Sequence, residues 1–208
     1  GLLQVNPATR VPLPDPQNAR ERVLTEEEWS RLYQVAKPHL RPVLLTAYQL
    51  GQRLSEIVGL TWDRIDLKRG FITLRSQDTK TKKPRQVPLT PDVKATLQRL
   101  AKIRSLSTRH VFLYNQQPLR DFRTAFRTAL TEAGLSDFRF HDLRHCAATN
   151  LRRAGIDTTT AMQIVGHTSP QMWKRYNQIR EEDLTQAASR LGKYLQENTP
   201  GTLDPKAE

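Results

Sequence analysis

Apolar positions recur every three or four residues along most of this chain, and in one stretch they alternate instead. Trp29, Leu32, Tyr33 and Ala36 share a helical face behind Thr25-Glu26-Glu27-Glu28, where threonine and the third glutamate can satisfy each other's backbone amides. Pro38 ends that helix. Pro42 opens the next, which runs through Val43, Leu44 and Ala47 to Leu50 and stops at Gly51. Ser55 is expected to cap a short third helix. Between residues 64 and 89 the period changes, and Ile65-Asp66-Leu67, Phe71-Ile72-Thr73-Leu74 and Gln86-Val87-Pro88-Leu89 read as three short antiparallel strands. Thr90-Pro91-Asp92 is expected to cap the next helix, with Val93, Leu97, Leu100 and Ala101 inside. Val111-Phe112-Leu113-Tyr114 is a buried connector or strand. Residues 119–133 form a helix with Phe122, Ala125, Phe126, Ala129 and Leu130 on its core face, closed by Gly134. Leu143, Ala147 and Leu151 stripe a helix that Gly155 closes, a shorter helix ends at Gly166, and Ser169-Pro170 starts another. Leu184, Ala188, Leu191 and Leu195 make residues 181–197 an amphipathic helix. The fold class is α+β, mainly α: a helical domain with a small three-stranded antiparallel sheet.

The flanks are different. Pro7, Pro12, Pro14 and Pro16, with Arg10, Arg20 and Arg22, make residues 1–24 an extended linker, and residues 198–208 read as a polar, disordered tail. Residues 25–197 remain as one domain, large enough to bury a real core. The chain starts at Gly1 rather than Met, so a segment of a longer protein is expected. Lys and Arg number 33 against 21 Asp and Glu, a net charge of +12 that points to nucleic acid or another anionic surface. The single cysteine, Cys146, rules out an internal disulfide and suits a reducing compartment. No apolar run is long enough to span a bilayer or to serve as a signal-peptide core, and no membrane is expected.

Candidate chemistry gathers late in the chain. His141 and Arg144 lie three apart and share a helical face, His167 follows the Gly166 turn, and Tyr176 comes nine positions later. Two imidazoles, a guanidinium and a phenol suit an anionic phosphate with a hydroxyl nucleophile beside it. His141 and His145 also have an i,i+4 spacing that metal sites use, but no glutamate stands between them and no metal is expected. Earlier, Arg53 precedes the electropositive end of a short helix, with Glu56 placed to orient it. Either an anionic partner or a plain surface salt bridge explains the pair. Lys82, Lys83 and Arg85 belong to a basic hairpin tip, and Arg120, Arg123 and Arg127 to one helix face. Each group either contacts DNA phosphates or is merely solvated.

In this order, Arg53, Lys80, His141-x-x-Arg144, Gly166-His167 and Tyr176 resemble the catalytic domain of the tyrosine recombinase (phage integrase) family, from about Thr25 to Leu195. G-Q-R-L-S-E-I-V-G-L is similar to the family's first arginine motif, H-D-L-R-H to its second box and V-G-H-T-S-P-Q-M-W-K-R-Y to its third. Lys80, eight positions before Pro88, best matches the family's hairpin lysine, with Lys82 and Lys83 as alternatives. Two positions depart from the pattern: Gln52 stands where an apolar residue is usual, and Trp173 is a bulky neighbour for the nucleophile's helix. The resemblance implies a site-specific DNA recombinase or integrase that cleaves and rejoins strands through a 3′-phosphotyrosyl link on Tyr176. Arg53, Arg144 and His167 would hold the phosphate oxygens, His141 would act as base and Lys80 as acid. It implies no metal or other cofactor, double-stranded DNA as partner, and a DNA-associated place in the cytoplasm. It also implies a missing N-terminal core-binding domain and, for the full-length protein, a homotetramer on two DNA sites, the segment alone being a monomer. The helix at 181–197 would dock on a neighbour or on its own domain. A type IB topoisomerase and a non-catalytic basic DNA-binding module are the alternative readings of the same residues.

Overall fold

The capping box forms as the sequence predicts. Thr25 Oγ1 accepts from the Glu28 amide at 3.2 Å, and Glu28 Oε2 accepts from the Thr25 amide at 3.0 Å. Together they start α1 (Glu26–Val35), whose Leu32 is fully buried. The computed structural model describes residues 22–79, 82–167, 169, 173 and 181–198. α2 (Arg41–Leu50) begins with Pro42 in its first turn and ends at Gly51, and α3 (Leu54–Val58) is a single turn. β1 (Ile65–Asp66), β2 (Phe71–Leu74) and β3 (Arg85–Pro88) form an antiparallel sheet in that order, with Ile72 opposite Val87 and Leu74 opposite Arg85. α4 (Pro91–Lys102) follows, then the two-residue strands β4 (Leu113–Tyr114) and β5 (Gln117–Pro118). α5 (Arg123–Glu132), α6 (Asp142–Arg153), α7 (Thr158–Val165) and α8 (Glu181–Asn198) complete the described elements.

α6 packs along α2, and this pair anchors the core. Val43, Leu44 and Leu143 have no accessible surface, and each such side chain contributes about 1.5–3 kcal/mol by leaving water. α7 lies against α6 and β3, so the sheet meets the helices at one corner. Beneath that corner Ala148, Ala161, Val165 and Trp173 make a second, smaller cluster. No helix among the described residues is long and apolar enough to cross a membrane.

Several local expectations are corrected. Ser55 does not cap α3, because Arg53 occupies the cap position and the Glu56 carboxylate, not a serine hydroxyl, takes its amide. Thr90 stands ahead of α4, but its hydroxyl is spent on Gln49 instead of the helix. The helix expected over 119–133 begins only at Arg123. Leu119 donates its amide to Phe112, and Asp121 Oδ1 accepts from the Arg123 amide at 2.9 Å, which starts the helix there. The last residues of the expected linker, 22–24, pack on the domain: Leu24 is buried, its amide faces Cys146 Sγ at 3.4 Å, and Arg22 pairs with Glu28. The helix expected from Ser169-Pro170 and most of the proline-rich linker lie outside the described residues, as does the C-terminal tail beyond Asn198.

Candidate functional site

Two helices end at the same place, and each ends on a glycine with positive φ. Gly51 closes α2 at φ +65° and Gly166 closes α7 at φ +78°, the left-handed turn that lets a helix stop abruptly. Carbonyls at such ends carry partial negative charge and lack helical partners. Arg144, in the first turn of α6, supplies the answer for both. Its Nη1 donates to the Gly51 carbonyl at 2.8 Å and also to the Val165 carbonyl. At 4% exposure, it is a buried cation fixed by two helix ends. Close packing leaves no slack, because a Cβ at Gly51 would lie 2.9 Å from Ala147 Cβ and 3.3 Å from Val165 Cγ2.

Arg53 reaches the same corner from the other side. Its Nη2 donates to the Gly166 carbonyl at 3.0 Å, one peptide beyond the carbonyl that Arg144 holds. Nη1 pairs with Glu56 Oε1 at 3.0 Å, and the Arg53 amide donates to Glu56 Oε2 at 2.9 Å. Glu56 thus orients both the backbone and the side chain of Arg53, as the three-residue spacing suggested. Its side chain is inaccessible to water while that of Arg53 is 17% exposed, so the guanidinium keeps one open edge. Two guanidinium groups consequently sit beside adjacent peptide groups.

The next residue on is His167. Its amide donates to the Met162 carbonyl, and its ring meets Trp173 edge-on with centroids 5.8 Å apart. The bulk of Trp173, which departs from the expected motif, therefore supports the histidine from below. Burial pulls the His167 pKa down to about 3, helped by Arg144, Arg53, His145 and His141. His141, at the cap position of α6, keeps an exposed edge and lies 5.6 Å from the ring of His145. Partial burial lowers its pKa as well, then Arg144 and, more weakly, Arg53, with Asp142 opposing. Both shifts favour the neutral ring, and a neutral imidazole can donate a hydrogen bond from one ring nitrogen while accepting at the other. An oxyanion placed among the two arginines would meet positive charge and hydrogen-bond donors already in position.

Arg53, Glu56, His141, Arg144 and His167 are brought together. Lys80 and Tyr176 lie outside the described residues. Lys82 and Lys83 are exposed, and so are Arg120, Arg123 and Arg127. Those three arginines border a groove of about 590 Å3 floored by Phe122, Phe126 and Phe140, with Arg120 ahead of α5 instead of on it. Arg85 corrects its reading as a phosphate contact of the hairpin tip. Its side chain is 6% exposed and turned inward, with Nη2 on Glu56 Oε2 at 2.7 Å and on Gln52 Oε1 at 2.6 Å. Gln52 was legible only as an oddity, a polar residue where the motif is apolar. Its buried amide is what gives Arg85 a second acceptor.

The family model described as "Phage integrase family" matches residues 22–183. The chain belongs to the phage integrase family. It is 28% identical to the integrase of Salmonella phage P22, a match covering 94% of this chain and 54% of that protein. A shufflon-specific DNA recombinase of Escherichia coli is 32% identical over 86% of this chain and 46% of its own length. The chain thus spans about half the length of these relatives. Among solved structures, the XerA recombinase superposes with a TM-score of 0.66 at 23% identity, over 87% of this chain and 66% of that one. The Tn1549 transposon integrase in complex with circular intermediate DNA gives 0.69 at 20% identity, over 84% and 68%. These likenesses show that the integrase-family catalytic fold is shared.

Proposed function

We propose that this integrase-family chain is the catalytic part of a site-specific DNA recombinase, and that Arg53, Arg144 and His167 bind the scissile phosphate with His141 beside them as base. One observation carries the reading: two buried or half-buried guanidinium groups and a neutral imidazole converge on residues 165–167. Relatives named integrase and shufflon-specific DNA recombinase support it. Attack on a phosphodiester piles negative charge on the non-bridging oxygens, and forked guanidinium donors match those oxygens while staying charged at any working pH. Tyr176 Oη would attack phosphorus, its proton passing to His141. The 5′-oxygen would leave with a proton from Lys80, giving a 3′-phosphotyrosine and a free 5′-hydroxyl. Attack by the 5′-hydroxyl of a second strand reverses the step and frees Tyr176.

The exposure of α8 supports an assembly. Leu184, Leu191 and Leu195 are 61%, 58% and 47% exposed, so this helix does not bury its apolar face on its own domain. A second copy of the chain is the partner we propose for it, in a homotetramer holding two DNA duplexes. Exposed Lys82, Lys83, Arg120, Arg123 and Arg127 would meet the DNA backbone, and affinity would fall steeply with salt.

A nicked suicide substrate tests the reading. The chain, joined to whatever core-binding domain its full-length form carries, is expected to form a covalent protein–DNA adduct that survives EDTA. Tyr176→Phe is expected to bind DNA and form none. Adducts that persist in Tyr176→Phe, or a strict need for a divalent metal, contradict it.

A further inference from the structure

The carboxylate that orients Arg53 is shared. Glu56 Oε1 accepts from Arg53 Nη1, while Oε2 accepts from the Arg53 amide and from Arg85 Nη2 at 2.7 Å. Arg85 itself is held in place by Gln52 Oε1 at 2.6 Å, and Gln52 Nε2 is committed to the Leu50 and Ile164 carbonyls at 2.7 and 3.1 Å. The guanidinium of Arg85 lies flat against Gly166, where a Cβ would come within 2.6 Å of its Cζ. Its Nε has no hydrogen-bond partner among the described residues, so the side chain is held here by its two acceptors and by packing. A buried ionised pair is costly to desolvate, and on stability alone an apolar pair would serve as well. The arrangement has a different consequence. With Arg85 present, Glu56 faces two cations, and the cluster of Arg53, Arg85 and Glu56 keeps one net positive charge. Without Arg85 the charges of Glu56 and Arg53 cancel.

We propose that Arg85, anchored by Gln52, is a positioning residue of the phosphate site: it takes up the charge of Glu56, so that the charge of Arg53 stays available to the bound oxyanion. The proposal rests on the recombinase reading of the site, yet it can be tested apart from recombination. Arg85 never touches the phosphate. It acts through Glu56 and Arg53.

Inorganic phosphate is titrated into the free chain by calorimetry, with Arg53→Gln setting the floor. Arg85→Met is expected to weaken phosphate binding on the order of ten-fold, the effect of one unit charge close to a half-buried site. Adding Glu56→Gln to Arg85→Met removes the unbalanced carboxylate and is expected to restore most of that loss, which packing damage would not allow. Arg85→Lys keeps the charge and is expected within about three-fold of wild type by the same charge argument. Gln52→Leu leaves every charge in place and no carboxylate unpaired. It is expected to weaken phosphate by a factor of about two to five through loss of one acceptor, so the test survives if Arg85→Met fails to fold. The single-turnover rate of adduct formation at saturating protein should follow the same order. Unchanged phosphate binding in both Arg85→Met and Gln52→Leu overturns the proposal, and so does a double variant no better than Arg85→Met. A wild type that binds phosphate in this order but forms no adduct on any substrate overturns the recombinase reading and leaves the role of Arg85 standing.

Discussion

Replacing Gly51 by alanine perturbs the corner where α2, α6 and α7 meet without touching a charged group. Two separate costs arise. A left-handed alanine is disfavoured by about 1–2 kcal/mol, partly offset by about 0.4–1 kcal/mol from the stiffer unfolded chain. The new methyl would lie 2.9 Å from Ala147 Cβ and 3.3 Å from Val165 Cγ2, with α6 on one side and α7 on the other. Overpacking of this kind costs about 1–3 kcal/mol, because neither helix can move without disturbing the Arg144 bonds to Gly51 and Val165. The total is about 3 kcal/mol, a large part of the ~5–15 kcal/mol available to a domain. Urea unfolding followed by tryptophan fluorescence should show a lower midpoint and an unchanged slope. The double variant Gly51→Ala/Ala147→Gly removes the nearer clash and should recover ~1–2 kcal/mol relative to the sum of the single changes. Gly51→Ala within ~0.5 kcal/mol of wild type would refute the close approach and the strain together.

Further predictions concern the cations, the histidines and the exposed helix. Arg144→Lys offers one ammonium where Nη1 alone holds two carbonyls and the rest of the guanidinium is left for the proposed phosphate, so single-turnover cleavage should fall on the order of 10²-fold with DNA affinity changed only a few-fold. For pH, the folded state keeps His167 neutral down to about 3 while the unfolded chain protonates it near its ordinary value. The unfolded state therefore binds the extra proton, and stability is complete above pH ~6.5 and falls as pH drops, by at most ~1.4 kcal/mol per unit and less for partial exposure. Urea midpoints at pH 7.5 and 5 should show the fall, and His167→Gln should flatten it. Leu191→Asp on α8, where Leu191 is 58% exposed, should leave the unfolding midpoint of the free chain unchanged while abolishing higher assembly on DNA in sedimentation.

The helical skeleton was legible because its punctuation is local. The Thr25–Glu28 box, Pro42, Gly51, Gly155 and Gly166 all act within a turn of where they stand, and all behave as their chemistry requires. The three-stranded sheet was equally plain from alternation alone. The misplaced cap at Ser55 and the late start of α5 share a cause. In each, a side chain two or three residues away, Glu56 or Asp121, captured the amide that sets the boundary. At the site, the ordered motifs named Arg53, His141, Arg144 and His167, which meet; Lys80 and Tyr176 lie outside the described residues. They did not show how the groups are held, because the partners of Arg144 and Arg53 are backbone carbonyls, which every residue has. Arg85 was misread for a related reason: a basic hairpin in sequence says nothing of which arginine turns inward to a buried carboxylate.

The central claim is that Arg53 and Arg144 act on one phosphate by opposing its charge. A suicide duplex whose scissile linkage is a methylphosphonate, with a neutral methyl in place of one charged oxygen, tests it most directly. Arg53→Ala and Arg144→Ala should each lose at least about ten-fold less adduct-forming rate on this neutral linkage than on the normal phosphodiester, since the charge they oppose is gone. Equal losses on the two linkages would contradict the account.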